Sequence, residues 1–160
     1  MVLCPGIHPL TCRAQTFNVL GAINALTLEI ITVTNETYIN AESVCQLLQK
    51  LSDLALQIPI TLVWDNARYQ KCAAVFDCAE RLGITLVYLP SYSPHLNLIE
   101  RLWRFVRREC LYSKYYADFS SFKQAISTVI ETAPIDKHDR LKSLMSWKFQ
   151  SFKKVQFLPD

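Results

Sequence analysis

Two short apolar segments joined by a helical segment constrain the fold of this chain more than any other feature. Residues 58–64 (IPITLVW) and 84–88 (ITLVY) have the composition of buried strands. Between them, apolar residues recur with helical spacing from Cys72 to Leu82, and Gly83 stands where a helix usually ends. A strand, a helix and a second strand at this spacing predict a right-handed parallel crossover, and therefore an α/β fold.

The segments around this unit predict the remaining elements. Residues 17–25 and 28–34 are apolar and rich in β-branched side chains, which indicates an antiparallel hairpin. Asn40 is a good helix cap, and a helical pattern of apolar residues follows it. Further helices are expected around residues 97–110, 119–132 and 138–150. We find no repeat and no linker, so the sequence predicts one domain over residues 1–160, with a core at about 17–110 and C-terminal helices at about 119–150.

The composition agrees with one globular domain. The chain has 160 residues, of which 51% are hydrophobic and 19% are charged, enough to bury one sizeable core. No apolar stretch is long enough to span a bilayer, and no basic region precedes a hydrophobic segment at the start. We therefore expect a cytoplasmic protein that does not contact a membrane.

Six cysteines are scattered along the chain without a CxxC pair. This spacing favours neither a zinc site nor a disulfide framework. We interpret Cys45, Cys72 and Cys110 as small apolar core residues.

Charge is distributed unevenly along the chain. Residues 1–96 contain five Lys/Arg and seven Asp/Glu, whereas residues 97–160 contain twelve Lys/Arg and seven Asp/Glu. A basic C-terminal half would attract a polyanion such as nucleic acid, although basic helical faces are often simply solvated.

Two carboxylates, Asp65 and Glu100, stand in unusual positions with 34 residues between them. Asp65 follows the apolar strand 58–64, at the end of the strand where α/β sheets bind ligands. Glu100 is in the first turn of the predicted helix 97–110, directly after a loop with two prolines. Two fixed carboxylates at one sheet edge are suited to a hard divalent cation such as Mg²⁺.

The helix that carries Glu100 has two faces. We expect Asn97 to cap it and the helix dipole to keep Glu100 ionised. The predicted core stripe consists of Ile99, Leu102, Val106 and Cys110, and the face of Glu100 also carries Asn97, Trp103, Arg104 and Arg107. On this face the arginines could bind phosphates beside a metal. The alternative is that Glu100 only forms an exposed ion pair with Arg104.

Two segments of the chain resemble the catalytic core of DDE transposases of the mariner superfamily, in particular the bacterial insertion-sequence branch. They are WDNARYQ (64–70), which begins at the last residue of a predicted strand, and LPSYSPHLNLIERLW (89–103), which follows the next predicted strand. The resemblance extends from about Phe17 to about Lys154. It differs mildly at Gln70, where many relatives have histidine, and at Ser91 or Leu98, where they have a second proline.

The resemblance implies an RNase H-like fold, with a mixed sheet flanked by helices. It implies that Asp65 and Glu100 are the second and third catalytic acids, supported by Asn66, Asn97, Tyr92 and Trp103. Between the acids of this family lie two Mg²⁺ or Mn²⁺ ions, which promote cleavage and joining of DNA strands. The implied partners are transposon ends and target DNA, and the implied assembly is a homodimer. The candidate DNA-binding residues are Arg104, Arg107, Arg108, Lys148, Lys153 and Lys154.

The first acid of the family is expected on a strand upstream of the hairpin, but residues 1–16 contain no Asp or Glu. We therefore expect a chain that is truncated at its N-terminus and lacks the first, central strand. A degraded element, a misplaced start codon and a downstream reading frame reached by ribosomal frameshifting would each explain this. The chain alone could then be an inactive product that binds DNA or the full-length enzyme. A generic RNase H-like nuclease, and an α/β domain in which both acids only cap structural elements, remain as alternatives.

Overall fold

A computed structural model of the chain describes residues 15–64, 71–90 and 96–146. The strands are β1 (Asn18–Ile23), β2 (Ile30–Asn35), β3 (Ile60–Trp64) and β4 (Ile84–Tyr88). The helices are α1 (Ala41–Ser52), α2 (Ala73–Arg81), α3 (Leu98–Cys110), α4 (Phe119–Asp136) and α5 (His138–Leu144). No helix in these ranges is both long and apolar enough to cross a membrane.

The described strands form two sheets of two strands each. β1 and β2 form the predicted antiparallel hairpin, in which Asn18 is opposite Asn35 and Ile23 is opposite Ile30. β3 and β4 form the predicted parallel pair, from Ile60 opposite Ile84 to Trp64 opposite Tyr88. The parallel crossover was therefore predicted correctly, with α2 as its helix.

Local sequence explains where the helices between the strands begin and end. The Asn40 side chain accepts a hydrogen bond of 3.0 Å from the Ser43 amide, so it caps α1 as predicted. Gly83 has a φ of +66°, a left-handed conformation that other residues adopt at a cost, and it separates α2 from β4. Helix α4 continues to Asp136, beyond the predicted end at residue 132, with Pro134 inside its last turn. Proline is tolerated there because it removes only one hydrogen bond close to the end of the helix.

The hydrophobic core has two parts, one on each side of the strands. The first part contains side chains of α1, α2 and all four strands, with Leu20, Val44 and Trp64 among its most deeply buried members. The second part joins α3, α4 and α5 to β1 and β2, around Ile99 and Leu102. Helices therefore cover both faces of the β1–β2 hairpin, whereas one face of β3 and β4 carries the exposed Val63 and Val87. Helices packed on strands agree with the predicted α/β class.

The described cysteines, which are Cys45, Cys72, Cys78 and Cys110, pack against these two parts of the core. Cys110 is buried, whereas Cys45 and Cys72 are half-buried at the edge of the first part. Burial, followed by a hydrogen bond with Cys78, raises the pKa of the Cys45 thiol to about 11. Cys45 is therefore protonated at neutral pH and behaves as the small apolar residue that the sequence predicted.

An ion-pair cluster centred on Glu109 links α3 to the start of α5. Lys137 and Arg140 both pair with the Glu109 carboxylate, whose side chain is only 14% exposed. The hydrogen bond from Lys137 is the main cause of a lowered Glu109 pKa. The Glu109 pKa is lower in the folded state than in the unfolded state, so the cluster stabilises the fold at pH values above about 4.5, the ordinary pKa of this carboxyl group. This stabilisation is lost as the pH falls below that value and the carboxylate takes up a proton.

We expect Glu109→Gln to lower the free energy of unfolding at pH 7 by about 1–2 kcal/mol, because it removes the charge that Lys137 and Arg140 share. The difference between the variant and the original protein should shrink as the pH falls below 4.5, and urea unfolding at several pH values measures it. The exposed Glu131→Gln serves as the control. A Glu109→Gln effect that stays constant down to pH 3 would contradict the assigned role.

Candidate active site

The carboxyl ends of β3 and β4 lie side by side. Trp64 is the residue opposite Tyr88, and the Trp64 carbonyl accepts a hydrogen bond of 2.8 Å from the Leu89 amide. The chain therefore leaves both strands at the same edge of the parallel pair, where α/β sheets bind their ligands. Asp65 is the next residue after Trp64 in the sequence.

Trp64 fixes the end of β3 in the core. Its side chain is fully buried and stacks on Tyr88, with a centroid distance of 6.3 Å and an interplanar angle of 19°. The buried Trp64 Nε1–H has no hydrogen-bond partner within the described ranges. A buried donor left unpaired costs about 1–3 kcal/mol, so the packing of the large ring must offset this cost. Trp64 was predicted only as a strand residue, and nothing in the neighbouring sequence indicates this buried donor.

Glu100 lies in the first turn of α3 and is half-buried. Its neighbour Ile99 and the next core residue, Leu102, are fully buried in the second part of the core. The other neighbour, Arg101, donates hydrogen bonds from Nη1 to the carbonyls of Leu144 (3.0 Å) and Ser146 (2.8 Å), at the end of α5. Contacts on both sides of Glu100 therefore fix the backbone of the first turn that carries its carboxylate.

Asn97 precedes α3, as predicted, but its side chain makes no capping hydrogen bond. The side chain is instead buried, with 4% exposure, and the Asn97 carbonyl accepts a hydrogen bond of 3.3 Å from the Glu100 amide. Asn97 therefore occupies the predicted N-cap position, but the prediction of a capping hydrogen bond from its side chain was wrong.

The predicted core stripe of α3 is confirmed, but the buried face is wider than expected. Trp103 and Phe105 are buried in addition to the four predicted residues. Trp103 is only 6% exposed and packs on Gly21 of β1, where an added Cβ would lie 2.9 Å from Trp103 Cη2. Trp103 is therefore a core residue that holds α3 against β1, and it is too buried to contact DNA directly.

The arginines of α3 form an exposed basic face. Arg104, Arg107 and Arg108 are all exposed to solvent. The ion pairs between described residues involve Glu36, Glu109 and Asp139 as the acids, and Glu100–Arg104 is not among them. The alternative in which Glu100 serves only as the partner of Arg104 is therefore not supported.

Half of the candidate site residues lie outside the described ranges and stay predictions. They are Asp65, Asn66, Tyr92, Lys148, Lys153 and Lys154. Within the described ranges, no group of three or more His, Cys, Asp or Glu residues could hold a metal ion. Asp65 lies outside these ranges, so a metal shared by Asp65 and Glu100 stays a prediction. The donor type fits, because carboxylate oxygens are the ligands that Mg²⁺ and Mn²⁺ prefer.

Comparison with solved structures shows which fold these elements form. The catalytic domain of Mos1 mariner transposase superposes with a TM-score of 0.52 at 16% sequence identity, covering 92% of this chain and 83% of that domain. The catalytic core domain of BIV integrase gives a TM-score of 0.51 at 14% identity, covering 80% of each chain. At these identities the likeness shows the fold alone, and it is the RNase H-like fold of transposase and integrase catalytic domains.

Two further structures superpose on nearly the whole of this chain. One is the Mos1 transposase catalytic domain with Raltegravir and Mn, with a TM-score of 0.56 at 16% identity, covering 93% of this chain and 84% of that one. The other is a simian T-cell lymphotropic virus intasome in complex with the PP2A regulatory subunit B56 gamma, with a TM-score of 0.57 at 9% identity. The present chain is covered over 96% of its length but spans only 59% of that viral chain.

Sequence comparison gives the family directly. No curated protein matches the chain. The sequence model of the DDE superfamily endonucleases, however, matches residues 8–123, a range that includes both Asp65 and Glu100. Since this match covers more than half of the chain, the protein belongs to the DDE superfamily endonuclease family.

Proposed function

We propose that this chain contributes two acids, Asp65 and Glu100, to the metal site of a transposase that cleaves DNA strands and joins them to new sites. The family match over residues 8–123 carries this proposal, because it includes both acids and the segments that hold them. Two aspects of the structure support it. The residue before Asp65 ends a parallel strand pair, and the helix that carries Glu100 is anchored on both sides.

The residue types agree with phosphoryl transfer on DNA. Bound Mg²⁺ or Mn²⁺ would supply positive charge that stabilises the negative charge of the transition state. Asp65 and Glu100 would hold these ions, while Arg104 and Arg107, four and seven residues after Glu100 along α3, would bind the DNA phosphates beside them. In such a reaction a water or a 3′-hydroxyl forms a new bond to phosphorus as the opposite P–O bond breaks, and its proton passes to solvent.

DNA binding should depend on the basic face of α3. We expect a variant with Arg104, Arg107 and Arg108 changed to glutamine to bind duplex DNA more weakly, and the slope of log K against log salt to fall by about 2–3, because each arginine displaces roughly one counterion. Fluorescence anisotropy at several salt concentrations measures this slope. Arg81→Gln is the control, because Arg81 ends α2, before the start of β4, and does not belong to α3. An unchanged slope would show that DNA binds elsewhere.

The second candidate function is that of a catalytically inactive domain, which binds DNA or the full-length transposase. In both candidate functions the protein would act as a homodimer. Residues 1–16 contain no Asp or Glu, whereas the family site needs a first acid upstream of the hairpin. Two carboxylates neutralise only part of the charge of two divalent ions, so the 160-residue chain alone should cleave DNA very weakly or not at all.

A plasmid-nicking assay with Mg²⁺ or Mn²⁺ distinguishes the two functions. The chain is tested alone and after extension at its N-terminus by an apolar strand that ends in aspartate. The catalytic proposal predicts metal-dependent nicking by the extended protein and little or none by the chain alone. DNA binding by both proteins without any nicking would favour the inactive domain.

A further inference from the structure

The turn that follows α3 carries two tyrosines that extend into the solvent. We call residues Tyr112–Tyr115 the tyrosine turn. Tyr112 is 78% exposed and Tyr115 is 91% exposed, the highest values for aromatic side chains within the described ranges. Among the side-chain hydrogen bonds and ring contacts between described residues, none involves either tyrosine. Both rings therefore offer their faces to a ligand.

Tyr116 fixes the end of the tyrosine turn. Its hydroxyl donates a hydrogen bond to the Cys110 carbonyl at the end of α3. Its ring makes an edge contact with Phe122 of α4, with a centroid distance of 5.8 Å and an interplanar angle of 77°. Because Tyr116 directly follows Tyr115, it holds the backbone from which the exposed Tyr115 ring extends.

Lys114 and Ser113 fix the middle of the turn. The Lys114 amide donates a hydrogen bond of 3.3 Å to the Leu111 carbonyl, and Lys114 Nζ donates one of 2.7 Å to the Glu109 carbonyl. Ser113 has a φ of +57°, a left-handed conformation that is unfavourable for a residue with a side chain and persists where surrounding contacts determine it. The exposed rings therefore stand on a hydrogen-bonded backbone, which lowers the entropic cost of binding a ligand.

The tyrosine turn continues the basic face of α3. Arg108 lies four residues before Tyr112, which is about one helical turn, and Lys114 lies between the two exposed tyrosines. None of the ion pairs between described residues involves Arg104, Arg107, Arg108 or Lys114. Their positive charges are therefore available to an anionic ligand.

The acids nearest to the turn in sequence are engaged in other contacts. Glu109 pairs with Lys137 and Arg140. Asp118 caps α4 by accepting hydrogen bonds from the Ser121 amide (2.7 Å) and hydroxyl (2.9 Å). The surface around the exposed rings is therefore basic, and a polyanion would be attracted to it.

The surroundings of the two rings distinguish a nucleic-acid ligand from a protein. Between residues 96 and 132, Tyr112 and Tyr115 are the only exposed large hydrophobic side chains. A protein interface has a contiguous apolar centre, which these residues do not provide. Flat rings among cations suit nucleic acid, because bases stack on aromatic side chains while cations bind the phosphates. In a duplex the base faces are covered by neighbouring base pairs, so the fitting ligand is an unpaired strand.

We propose that the tyrosine turn is a binding site for unpaired DNA, in which Tyr112 and Tyr115 stack on bases and Arg108 and Lys114 bind the adjacent phosphates. The choice of DNA over RNA rests on the proposed function, whereas the preference for unpaired bases follows from the exposed rings. Tyr112 lies about 18 Å from Glu100 along α3, so the stacked bases would lie several nucleotides from the phosphate at the metal site.

Binding of the full chain to a fluorescent oligothymidylate of about 16 nucleotides tests this site. Tyr112→Leu and Tyr115→Leu should each weaken binding by about tenfold, because leucine remains apolar but lacks the aromatic face. The corresponding phenylalanine variants keep that face and should bind within about twofold of the original affinity. Fluorescence anisotropy measures the affinities, and the midpoint of urea unfolding checks that the variants are folded.

Salt and duplex controls separate stacking from charge. Each leucine variant should leave the slope of log K against log salt unchanged, because a stacked base releases no counterion. Binding of a duplex of equal length should change by less than about twofold, since its base faces are covered. Tyr38→Leu is the matched control: Tyr38 is 68% exposed but lies between β2 and α1, so its replacement should not weaken binding.

Four results would overturn the proposal. The first is unchanged oligothymidylate binding by both leucine variants. If the triple variant of Arg104, Arg107 and Arg108 still lowered the salt slope for duplex DNA, the proposed function would then stand without the tyrosine turn. The second is an equal loss for oligothymidylate and duplex, and the third is a loss in the phenylalanine variants as large as in the leucine variants. The fourth is oligouridylate binding at least about tenfold tighter than oligothymidylate binding, which would assign the turn to RNA.

Discussion

Glu100→Gln should abolish metal-dependent DNA cleavage by the N-terminally extended protein, with a loss on the order of a thousandfold or more in rate. Glutamine has nearly the same size but no negative charge, so it cannot neutralise a divalent ion that must stabilise the transition state. The first turn of α3 should keep its structure, because Ile99, Leu102 and Arg101 hold it independently of the carboxylate. Plasmid nicking as a function of time gives the rate, and circular dichroism checks the fold.

Glu42→Gln is the matched control for this variant. Glu42 is also an acid in the first turn of a helix, α1, but it lies outside the candidate site. The account predicts an unchanged nicking rate for Glu42→Gln. If Glu100→Gln nicked DNA within tenfold of the original rate, Glu100 would not be a catalytic residue.

Gly21→Val should destabilise the fold by about 3 kcal/mol. An added Cβ at this position would lie 2.9 Å from Trp103 Cη2 and 3.1 Å from Thr32 Cγ2, so the ring of Trp103 or the hairpin must move. Overpacking of this kind typically costs 1–3 kcal/mol, and valine adds two further methyl groups. The midpoint of urea unfolding measures the effect.

Two further variants separate lack of space from backbone strain. Gly83→Ala should cost about 1 kcal/mol, because its φ of +66° is unfavourable for alanine although nothing lies within 4 Å of the added Cβ. Trp103→Leu should recover part of the stability that Gly21→Val loses, since the smaller side chain leaves room for valine. Strictly additive effects of Gly21→Val and Trp103→Leu would rule out the proposed contact between these positions.

Local patterns were sufficient to predict most of the secondary structure. The hairpin, the parallel pair, Gly83 at the end of α2 and the core stripe of α3 all follow from short-range spacing and turn chemistry. The family and the fold were identified because WDNARYQ and LPSYSPHLNLIERLW occur together at a fixed separation. These signals depend on residues close in sequence, so one sequence is enough to read them.

Features that depend on distant parts of the chain could not be predicted. Trp103 is buried because Gly21, 82 positions earlier, leaves room for its ring, and nothing local to either residue shows this. Arg101 binds the end of α5, more than 40 residues away, although its position on α3 resembles that of the exposed arginines. Asn97 occupies the predicted N-cap position, but its residue is buried and its side chain makes no capping hydrogen bond.

Measurement of Mn²⁺ affinity shows directly whether Asp65 and Glu100 bind the same metal ions. Electron paramagnetic resonance of free Mn²⁺ gives the affinity of the extended protein and of its Asp65→Asn, Glu100→Gln and double variants. If the two acids share a site, each single substitution should weaken Mn²⁺ binding by about tenfold or more. The double variant should then lose much less binding free energy than the sum of the two single losses. A single variant that binds Mn²⁺ with the original affinity would contradict a shared site. So would a double variant whose loss of binding free energy equals the sum of the two single losses.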